Sequence, residues 1–222
     1  FELLEDETVV VIGRSGVGKS TLLRLILGLA KPETGTILVE GTDITKISEK
    51  EMNGIRREFG MLFQGAALFN SMTVGENVAF PIRQHRNYPE RKMWEIVCEK
   101  LRLVGLEDSE NMMPAELSGG MKKRAGLARA LALDPKYIFF DEPIAGLDPI
   151  IANGIDDLIL DLKKSGGITM LIVTHDLLHG FKVADKVLML HEGRLIASGT
   201  PTELTRSGNE HVQQFLRGLP DK

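Results

Sequence analysis

The residues most able to do chemistry form a glycine-rich loop at residues 13–20, GRSGVGKS. The segment matches G-x-x-x-x-G-K-[ST], and it lies between a β-branched apolar run at 8–12 and an apolar helical segment at 21–29. Glycines allow the backbone to turn its N–H groups inward, and a helix N-terminus adds partial positive charge. The loop therefore predicts a site for nucleotide phosphates. The alternative, an ordinary glycine turn before a helix, does not explain why the lysine and serine stand in register.

Each residue of this loop has a predicted contact with the phosphates or with the metal ion that accompanies them. We expect the Lys19 ammonium to reach the β- and γ-phosphates and the Ser20 hydroxyl to ligate Mg²⁺. The other predicted contacts are Gly13, Arg14, Ser15, Gly16, Val17, Gly18 and Thr21. Such a loop occurs in kinases, GTPases and transport ATPases, so by itself it does not choose between them.

A pair of acids that follows an apolar strand, in residues 137–142 (YIFFDE), is the second candidate group. Ligands of open α/β sheets bind at the carboxyl ends of the strands, so this strand would deliver both acids beside the phosphate loop. We expect Asp141 to hold Mg²⁺, directly or through water, and Glu142 to act as general base on the attacking water. A solvated strand end is the alternative, which the four preceding apolar residues and the following Pro143 disfavour.

A short motif at residues 117–120, LSGG, opens a predicted helix. Ser118 and the backbone amides of Gly119 and Gly120 would form a second anion site at that helix N-terminus. The motif resembles the signature of ABC ATPases, and it falls between the phosphate loop and the two acids, as it does in that family. The resemblance implies ATP and Mg²⁺ as cofactors. It also implies a head-to-tail dimer, in which the signature of one copy caps the γ-phosphate held by the other.

Three further residues take their roles from the same resemblance. Gln64 matches the glutamine that senses Mg²⁺ and the attacking water and that faces the transport partner. The segment 145–148, AGLD, resembles the loop that crosses the dimer interface, which makes Asp148 a residue of the nucleotide site. His175, at the end of a buried strand, matches the switch histidine that contacts the γ-phosphate.

The remaining pattern predicts a single α/β domain over residues 1–222, with a mixed sheet and an inserted helical subdomain at about 66–134. The P-loop NTPase core would then comprise residues 1–65 and 135–222. Further strands are predicted at 36–39, 60–64 and 169–173 and as a hairpin at 187–196. Capping boxes predict helices that begin after Ser48, Thr73 and Thr200, and Pro81 would end the second of these.

Within the ABC proteins, three segments resemble the ATPases of the Mla lipid-transport family: 60–69 (GMLFQGAALF), 71–81 (SMTVGENVAFP) and 114–121 (PAELSGGM). Met121 stands where most ABC signatures have Gln and is usual in that family; the tail 212–218 is similar too. The resemblance implies phospholipid as cargo, transmembrane permease subunits and an MCE lipid-binding protein as partners, and a peripheral position on the cytoplasmic face of the inner membrane. The aromatic that stacks on adenine in ABC proteins precedes the first strand, and we expect it outside this sequence.

Composition and charge exclude several other classes. The chain has 222 residues, of which 43% are hydrophobic and 26% charged, with a net charge of −4 and one cysteine. The acidic balance argues against nucleic acid as a partner, one cysteine excludes an internal disulfide framework, and no apolar run approaches the roughly 20 residues of a membrane span. His175 and His179 do not fit the metalloprotease pattern, because Asp176 stands in place of its Glu.

Three rival functions stay open on the sequence. The first is an ABC subunit that serves an amino acid or a drug. The second is a DNA-maintenance ATPase, which would need a long coiled coil between the phosphate loop and the signature. The third is a translation-type protein, which generally carries two such domains in one chain. The short segment 66–134 and the single set of motifs disfavour the last two.

Overall fold

A mixed sheet lies at the centre of the computed structural model, which describes residues 1–218. The strands are β1 (Thr8–Ile12), β2 (Leu38–Val39), β3 (Thr42–Asp43), β4 (Phe59–Leu62), β5 (Tyr137–Asp141), β6 (Thr169–Thr174), β7 (Lys186–His191) and β8 (Arg194–Gly199). Six of them form one sheet in the order β4-β5-β6-β1-β7-β8, in which only the β7–β8 pair is antiparallel. The other two form a separate antiparallel hairpin.

Helices cover the sheet and fill the long connection between β4 and β5. They are α1 (Lys19–Ile26), α2 (Glu49–Ile55), α3 (Val74–His85), α4 (Glu90–Leu103), α5 (Gly119–Leu131), α6 (Pro149–Ser165), α7 (Leu177–Val183), α8 (Pro201–Thr205) and α9 (Glu210–Leu216). Short 3₁₀ helices occupy Arg56–Glu58 and Pro114–Glu116. Within residues 1–218, no helix is both long and apolar enough to cross a membrane.

The central strands β1 and β6 are buried along their whole length. Successive side chains of a strand point to opposite faces, so a strand in this position needs apolar cover on both sides. One hydrophobic cluster contains Val10 and Phe140, and the cluster on the other face contains Val9 and Phe139. This explains why the sequence of these strands is a continuous apolar run and not an alternating one.

Truncating Phe140 to alanine is expected to cost about 3–5 kcal/mol of the free energy of unfolding, because a large buried ring is replaced by a cavity. Phe140 has no exposed surface and belongs to the cluster that joins the sheet to the helices. Urea unfolding of Phe140→Ala beside the wild type measures the loss. The matched control is Tyr88→Ala, at a ring that is 45% exposed, where we expect little change. Equal losses in the two variants would contradict the assignment.

The helices α3, α4 and α5 pack against one another, and α5 also packs on β4. The capping boxes predicted at Ser48, Thr73 and Thr200 are confirmed, with both reciprocal hydrogen bonds present in each. The prediction that Pro81 ends its helix is wrong, because α3 continues to His85. Proline removes one backbone bond, but Val78, Ala79 and Ile82 around it are buried in the main cluster, and this burial offsets the loss. The division into a core and an inserted subdomain remains a prediction.

The strand predicted at 36–39 is shorter than expected. Only Leu38 and Val39 are paired, with Asp43 and Thr42 of β3. The hairpin stands apart from the main sheet, and Leu38 is 65% exposed. Strand propensity therefore has little burial to reinforce it at this position.

Candidate nucleotide site

Four neighbouring parallel strands end at one edge of the sheet, and the predicted catalytic residues follow their carboxyl ends. The strands lie in the order β4, β5, β6, β1. Gln64 comes two residues after β4, Asp141 ends β5, His175 follows β6, and loop 13–18 follows β1. The sheet topology thus gathers residues that are more than 150 positions apart in the sequence at the edge where α/β sheets bind ligands.

Loop 13–18 has three positions at which the backbone conformation favours glycine. Gly13, Gly16 and Gly18 have φ angles of 154°, 82° and 108°. A Cβ on Gly13 would also lie 2.5 Å from the carbonyl oxygen of Leu190, so the loop is pressed against the end of β7. The required backbone therefore explains the glycines that the sequence pattern singled out.

The Lys19 side chain, in the first turn of α1, folds back over this loop. Its ammonium donates to the carbonyl oxygens of Gly13 at 2.7 Å and Arg14 at 3.2 Å, and it is only 7% exposed. Burial lowers the pKa of Lys19, and the nearby carboxylates of Glu142 and Asp141 act in the opposite direction. The amine thus lies at the loop, where incoming phosphate oxygens could replace the two carbonyls.

Ser20 and Asp141 form an oxygen-rich pair beside the lysine. The Ser20 hydroxyl donates to Asp141 Oδ1 at 3.3 Å. Burial raises the pKa of the Asp141 carboxyl, against the effect of the Ser20 hydrogen bond, and the neighbouring Glu142 carboxylate adds to the rise. A carboxylate beside a hydroxyl supplies the oxygen ligands that a hard divalent cation such as Mg²⁺ prefers. The residues present therefore fit the predicted metal.

Glu142 is held tightly in an unusual backbone conformation. Its φ is 48°, in the left-handed region that non-glycine residues rarely adopt. Its Oε2 accepts hydrogen bonds from the Thr174 hydroxyl at 3.1 Å and the His175 N–H at 3.4 Å, and His175 Nδ1 lies 2.9 Å away. Its Oε1 lies 3.8 Å from the Lys19 ammonium. A carboxylate fixed in this way could accept a proton from a water molecule in front of the phosphate loop.

Gln64 lies in the loop after β4 and is exposed. Its backbone carbonyl accepts a hydrogen bond from the ammonium of Lys123, a residue of α5. Thr174 and Lys123 were not among the predicted site residues. Thr174 could have been found as the hydroxyl residue just before His175 at the strand end. Lys123 lies in a run of basic residues, and nothing in that run indicates a contact with Gln64.

The signature residues form a second cluster with the start of α6. Ser118 caps α5 and accepts a hydrogen bond from the Met121 N–H at 3.3 Å. A Cβ on Gly120 would collide with the Ile151 side chain, so a glycine is needed for this contact. Asp148 caps α6 and accepts from the N–H groups of Ile150 and Ile151 at 3.0 and 3.1 Å. One group of neighbouring residues therefore comprises Ser118, Gly119, Gly120 and Asp148. Within residues 1–218, the hydrogen bonds that cap α5 and α6 in this group involve neither Lys19 nor Glu142.

His179 pairs with a buried carboxylate of α6. Its Nδ1 lies 2.6 Å from Asp156 Oδ2 in α6, and the two side chains are 12% and 2% exposed. The pair joins α7, which follows His175, to α6, which Asp148 caps.

Comparison with known proteins agrees with this geometry. The sequence model of the ABC transporter family matches residues 1–145. Over its full length the chain is 44% identical to MlaF of Haemophilus influenzae, an intermembrane phospholipid transport system ATP-binding protein, and it spans 84% of that protein. Over 98% of its length it is 47% identical to mkl of Mycobacterium leprae, a probable ribonucleotide transport ATP-binding protein, of which it spans only 63%.

Solved structures give the same fold. A dimeric ATP-binding cassette, MJ0796, in a post-hydrolysis state bound to ADP and Pi, is 30% identical with a TM-score of 0.83, covering 90% of this chain and 88% of that one. The cassette cbiO1 of Clostridium perfringens, part of the ABC transporter complex cbiONQ, is 33% identical with a TM-score of 0.86, covering 98% and 86%.

The chain belongs to the ABC transporter family, whose ATP-binding cassettes bind and hydrolyse ATP for a transporter. The predicted α/β P-loop fold and the predicted ATPase class are confirmed. The resemblance to the Mla ATPases is confirmed as well, by similarity that extends over the whole chain.

Proposed function

We propose that this chain is the ATPase subunit of a transporter that moves phospholipid between membranes, and that it acts at the cytoplasmic face of the inner membrane. The observation that carries the proposal is similarity to MlaF proteins over nearly the whole chain, with 44% identity for Haemophilus influenzae and 42% for Escherichia coli. Met121 after the LSGG motif supports the same branch of the family.

A transporter for another substrate is the second candidate. It is favoured by the 47% identity to a Mycobacterium leprae protein whose name refers to ribonucleotide transport. The ATPase chemistry would be the same in both cases, because it depends on the phosphate loop and the two acids whatever the cargo is.

The working unit in this proposal is a head-to-tail dimer. Loop 13–18 and residues 118–120 are both suited to anions, yet each has its own set of contacts within the chain. A second copy would bring its Ser118, Gly119, Gly120 and Asp148 opposite the phosphate loop of the first. Dimeric cassettes among the similar solved structures support this arrangement. Permease subunits and an MCE lipid-binding protein complete the proposed assembly.

Residues of one chain bind the nucleotide and activate water. The amides of residues 13–18 and the Lys19 ammonium bind phosphate oxygens, with Ser20 and Thr21 at the start of α1. Glu142 takes the proton from water, while His175, within hydrogen-bond distance of Glu142, contacts the γ-phosphate. Gln64 lies where the nucleotide site meets the permease.

Ser20, Asp141 and Gln64 would hold Mg²⁺, which when bound neutralises charge on the phosphate oxygens. The Ser20 hydroxyl and the Asp141 carboxylate already lie 3.3 Å apart, so little rearrangement is needed to present both oxygens. Gln64 follows the neighbouring strand, and its amide oxygen is the same kind of ligand.

The function is tested by isolating the intact complex through a tag on this chain and extracting what is bound. We expect a permease and a lipid-binding subunit to copurify, with phospholipid in the extract detected by mass spectrometry. A parallel purification of an amino-acid ABC complex in the same detergent is the control for lipid carried over from the membrane.

The cargo found decides between the candidates. Phospholipid in excess over the control supports the proposal. The lipid function would be replaced if a soluble solute-binding protein copurified with ribonucleotide or another polar solute and no excess lipid was found. The chain would then serve a transporter for that solute.

A further inference from the structure

One face of α5 is occupied by the loop that carries Gln64. Lys123, Gly126 and Arg129 stand three residues apart, so they lie along one side of the helix. Lys123 donates to the Gln64 carbonyl, and Arg129 donates to the carbonyls of Ala67 at 2.6 Å and Ala66 at 2.8 Å. Loop 64–67 is therefore fixed to α5 by two cationic side chains.

The loop is strained where the helix holds it. Ala66 and Ala67 have φ angles of 59° and 49°, although neither is glycine. Gly126 permits the close approach, since a Cβ there would lie 2.9 Å from Leu62 Cδ1 and 3.2 Å from Ala66 Cβ. Residues in such conformations persist only when their surroundings determine them, and here the surroundings are α5.

Lys123 connects this loop to Glu142. Its side chain is only 4% exposed, and its ammonium also donates to the Glu142 carbonyl oxygen at 3.1 Å. The other backbone bonds of Glu142 are its N–H to Val173 at 2.9 Å and the Ala145 N–H to its carbonyl at 3.2 Å. Glu142 is the residue with φ 48°, so each of these bonds helps to hold a conformation that would otherwise relax.

The same helix begins at the signature. Ser118 caps α5 five residues before Lys123, at the end that would face the nucleotide of a second copy. One rigid element thus contacts the proposed partner site, the Gln64 loop and the backbone of Glu142. An ammonium can bridge two carbonyls in this way, whereas a neutral apolar side chain would leave both without that donor.

We infer that Lys123 is a positioning residue for ATP hydrolysis: it sets the Glu142 carboxylate relative to the phosphate loop and transmits displacement of loop 64–67 or of the signature end of α5 to it. The inference rests on the roles proposed for Glu142 and Gln64. Lys123 itself does not touch the nucleotide, so its removal should affect turnover and leave nucleotide binding largely unchanged.

The test compares Lys123→Met, Lys123→Gln and Lys123→Arg in the full-length protein with saturating ATP and Mg²⁺. Misplacement of a catalytic group by about 1 Å can cost roughly 10²-fold, so we expect Lys123→Met to lower kcat about 10- to 100-fold with KM and ATP affinity within about threefold. Lys123→Arg keeps a cationic side chain with several N–H donors, so it should recover part of the rate and have a higher kcat than Lys123→Met.

Lys100→Met is the matched control. Lys100 is also a buried lysine, 8% exposed. Its ammonium lies 2.6 Å from Asp134 and 3.1 Å from Glu99, which is a residue of α4, and both partners are outside the nucleotide site. We expect this variant to lower the melting temperature and leave kcat unchanged. A kcat loss in both variants would show a general effect of removing a buried amine and overturn the inference.

Other outcomes are equally decisive. A kcat of Lys123→Met near the wild-type value, an equal fall in ATP affinity and rate, or an Arg variant as slow as the Met variant overturns the inference. If Lys123→Met does not fold, Lys123→Gln, which reaches one carbonyl at most, must show the selective kcat loss. Glu142→Gln assayed in parallel separates failure of the proposed base from failure of this inference. Hydrolysis at the wild-type rate by Glu142→Gln would disprove the role of Glu142 as base. Loss of hydrolysis in Glu142→Gln together with a normal kcat in Lys123→Met would disprove only the inference about Lys123.

Discussion

Replacing Glu142 with glutamine is expected to lower kcat for ATP hydrolysis by at least about 10²-fold while ATP affinity stays within about threefold of the wild type. Glutamine has the shape of glutamate, and its amide oxygen can still accept the Thr174 hydroxyl bond that now measures 3.1 Å. The phosphate contacts proposed for loop 13–18 and Lys19 would be unchanged. What disappears is the basic oxygen that is proposed to take a proton from water.

The same variant should accumulate as an ATP-bound dimer, because nucleotide still binds but the step that releases the partner is blocked. Phosphate release gives the rate, nucleotide titration gives the affinity, and light scattering with and without ATP gives the dimer fraction. The matched control is Glu90→Gln, at a side chain on α4 that is 68% exposed, which should hydrolyse ATP normally. Hydrolysis by Glu142→Gln at the wild-type rate would assign the base to another group.

Local sequence was sufficient for the parts of the site that depend on consecutive residues. Residues 13–20 need positive φ at Gly13, Gly16 and Gly18, and glycine adopts it readily. The positions of the glycines in the sequence therefore predict the backbone conformation of the loop. The same holds for the capping box at Thr73 with Glu76, whose two hydrogen bonds span three residues.

Helix boundaries that depend on tertiary burial were less predictable. Pro81 reads locally as a helix end, but the packing of α3 on α4 and α5 outweighs the lost backbone bond. Helix α6 was not predicted, although Asp148 as N-cap and Pro149 at the first position are recognisable starting signals.

Contacts between distant residues could not be predicted in the same way. Nothing in the sequence near Lys123 indicates that its ammonium reaches carbonyls at positions 64 and 142. The left-handed φ of Glu142 is likewise invisible from its residue type, since it results from hydrogen bonds to Val173, Ala145 and Lys123. The sequence singles out candidate reacting groups, whereas the contacts that hold them are visible only in the structure.

Replacing Lys19 with alanine is expected to weaken binding itself, in contrast to Glu142→Gln. A hydrogen bond to a charged group contributes about 1.5–3 kcal/mol, which corresponds to a loss of ATP affinity of roughly 10- to 150-fold. The Lys19 side chain is 7% exposed, and its ammonium donates hydrogen bonds to the carbonyls of Gly13 and Arg14. Phosphate oxygens would replace these neutral acceptors with charged ones, which adds the attraction of opposite charges to each hydrogen bond.

Calorimetric titration with a non-hydrolysable ATP analogue measures this loss without interference from turnover. Lys100→Ala removes a similarly buried amine that pairs with Asp134 and Glu99, so it should lower stability and leave affinity unchanged. The melting temperature of Lys19→Ala without nucleotide shows whether the loop itself has loosened through loss of the two carbonyl bonds. Affinity equal to that of the wild type would mean that the amine serves the loop and not the phosphates. Loss of affinity in both alanine variants would indicate a general effect on the fold. A selective loss at Lys19 would separate nucleotide binding from the water activation proposed for Glu142.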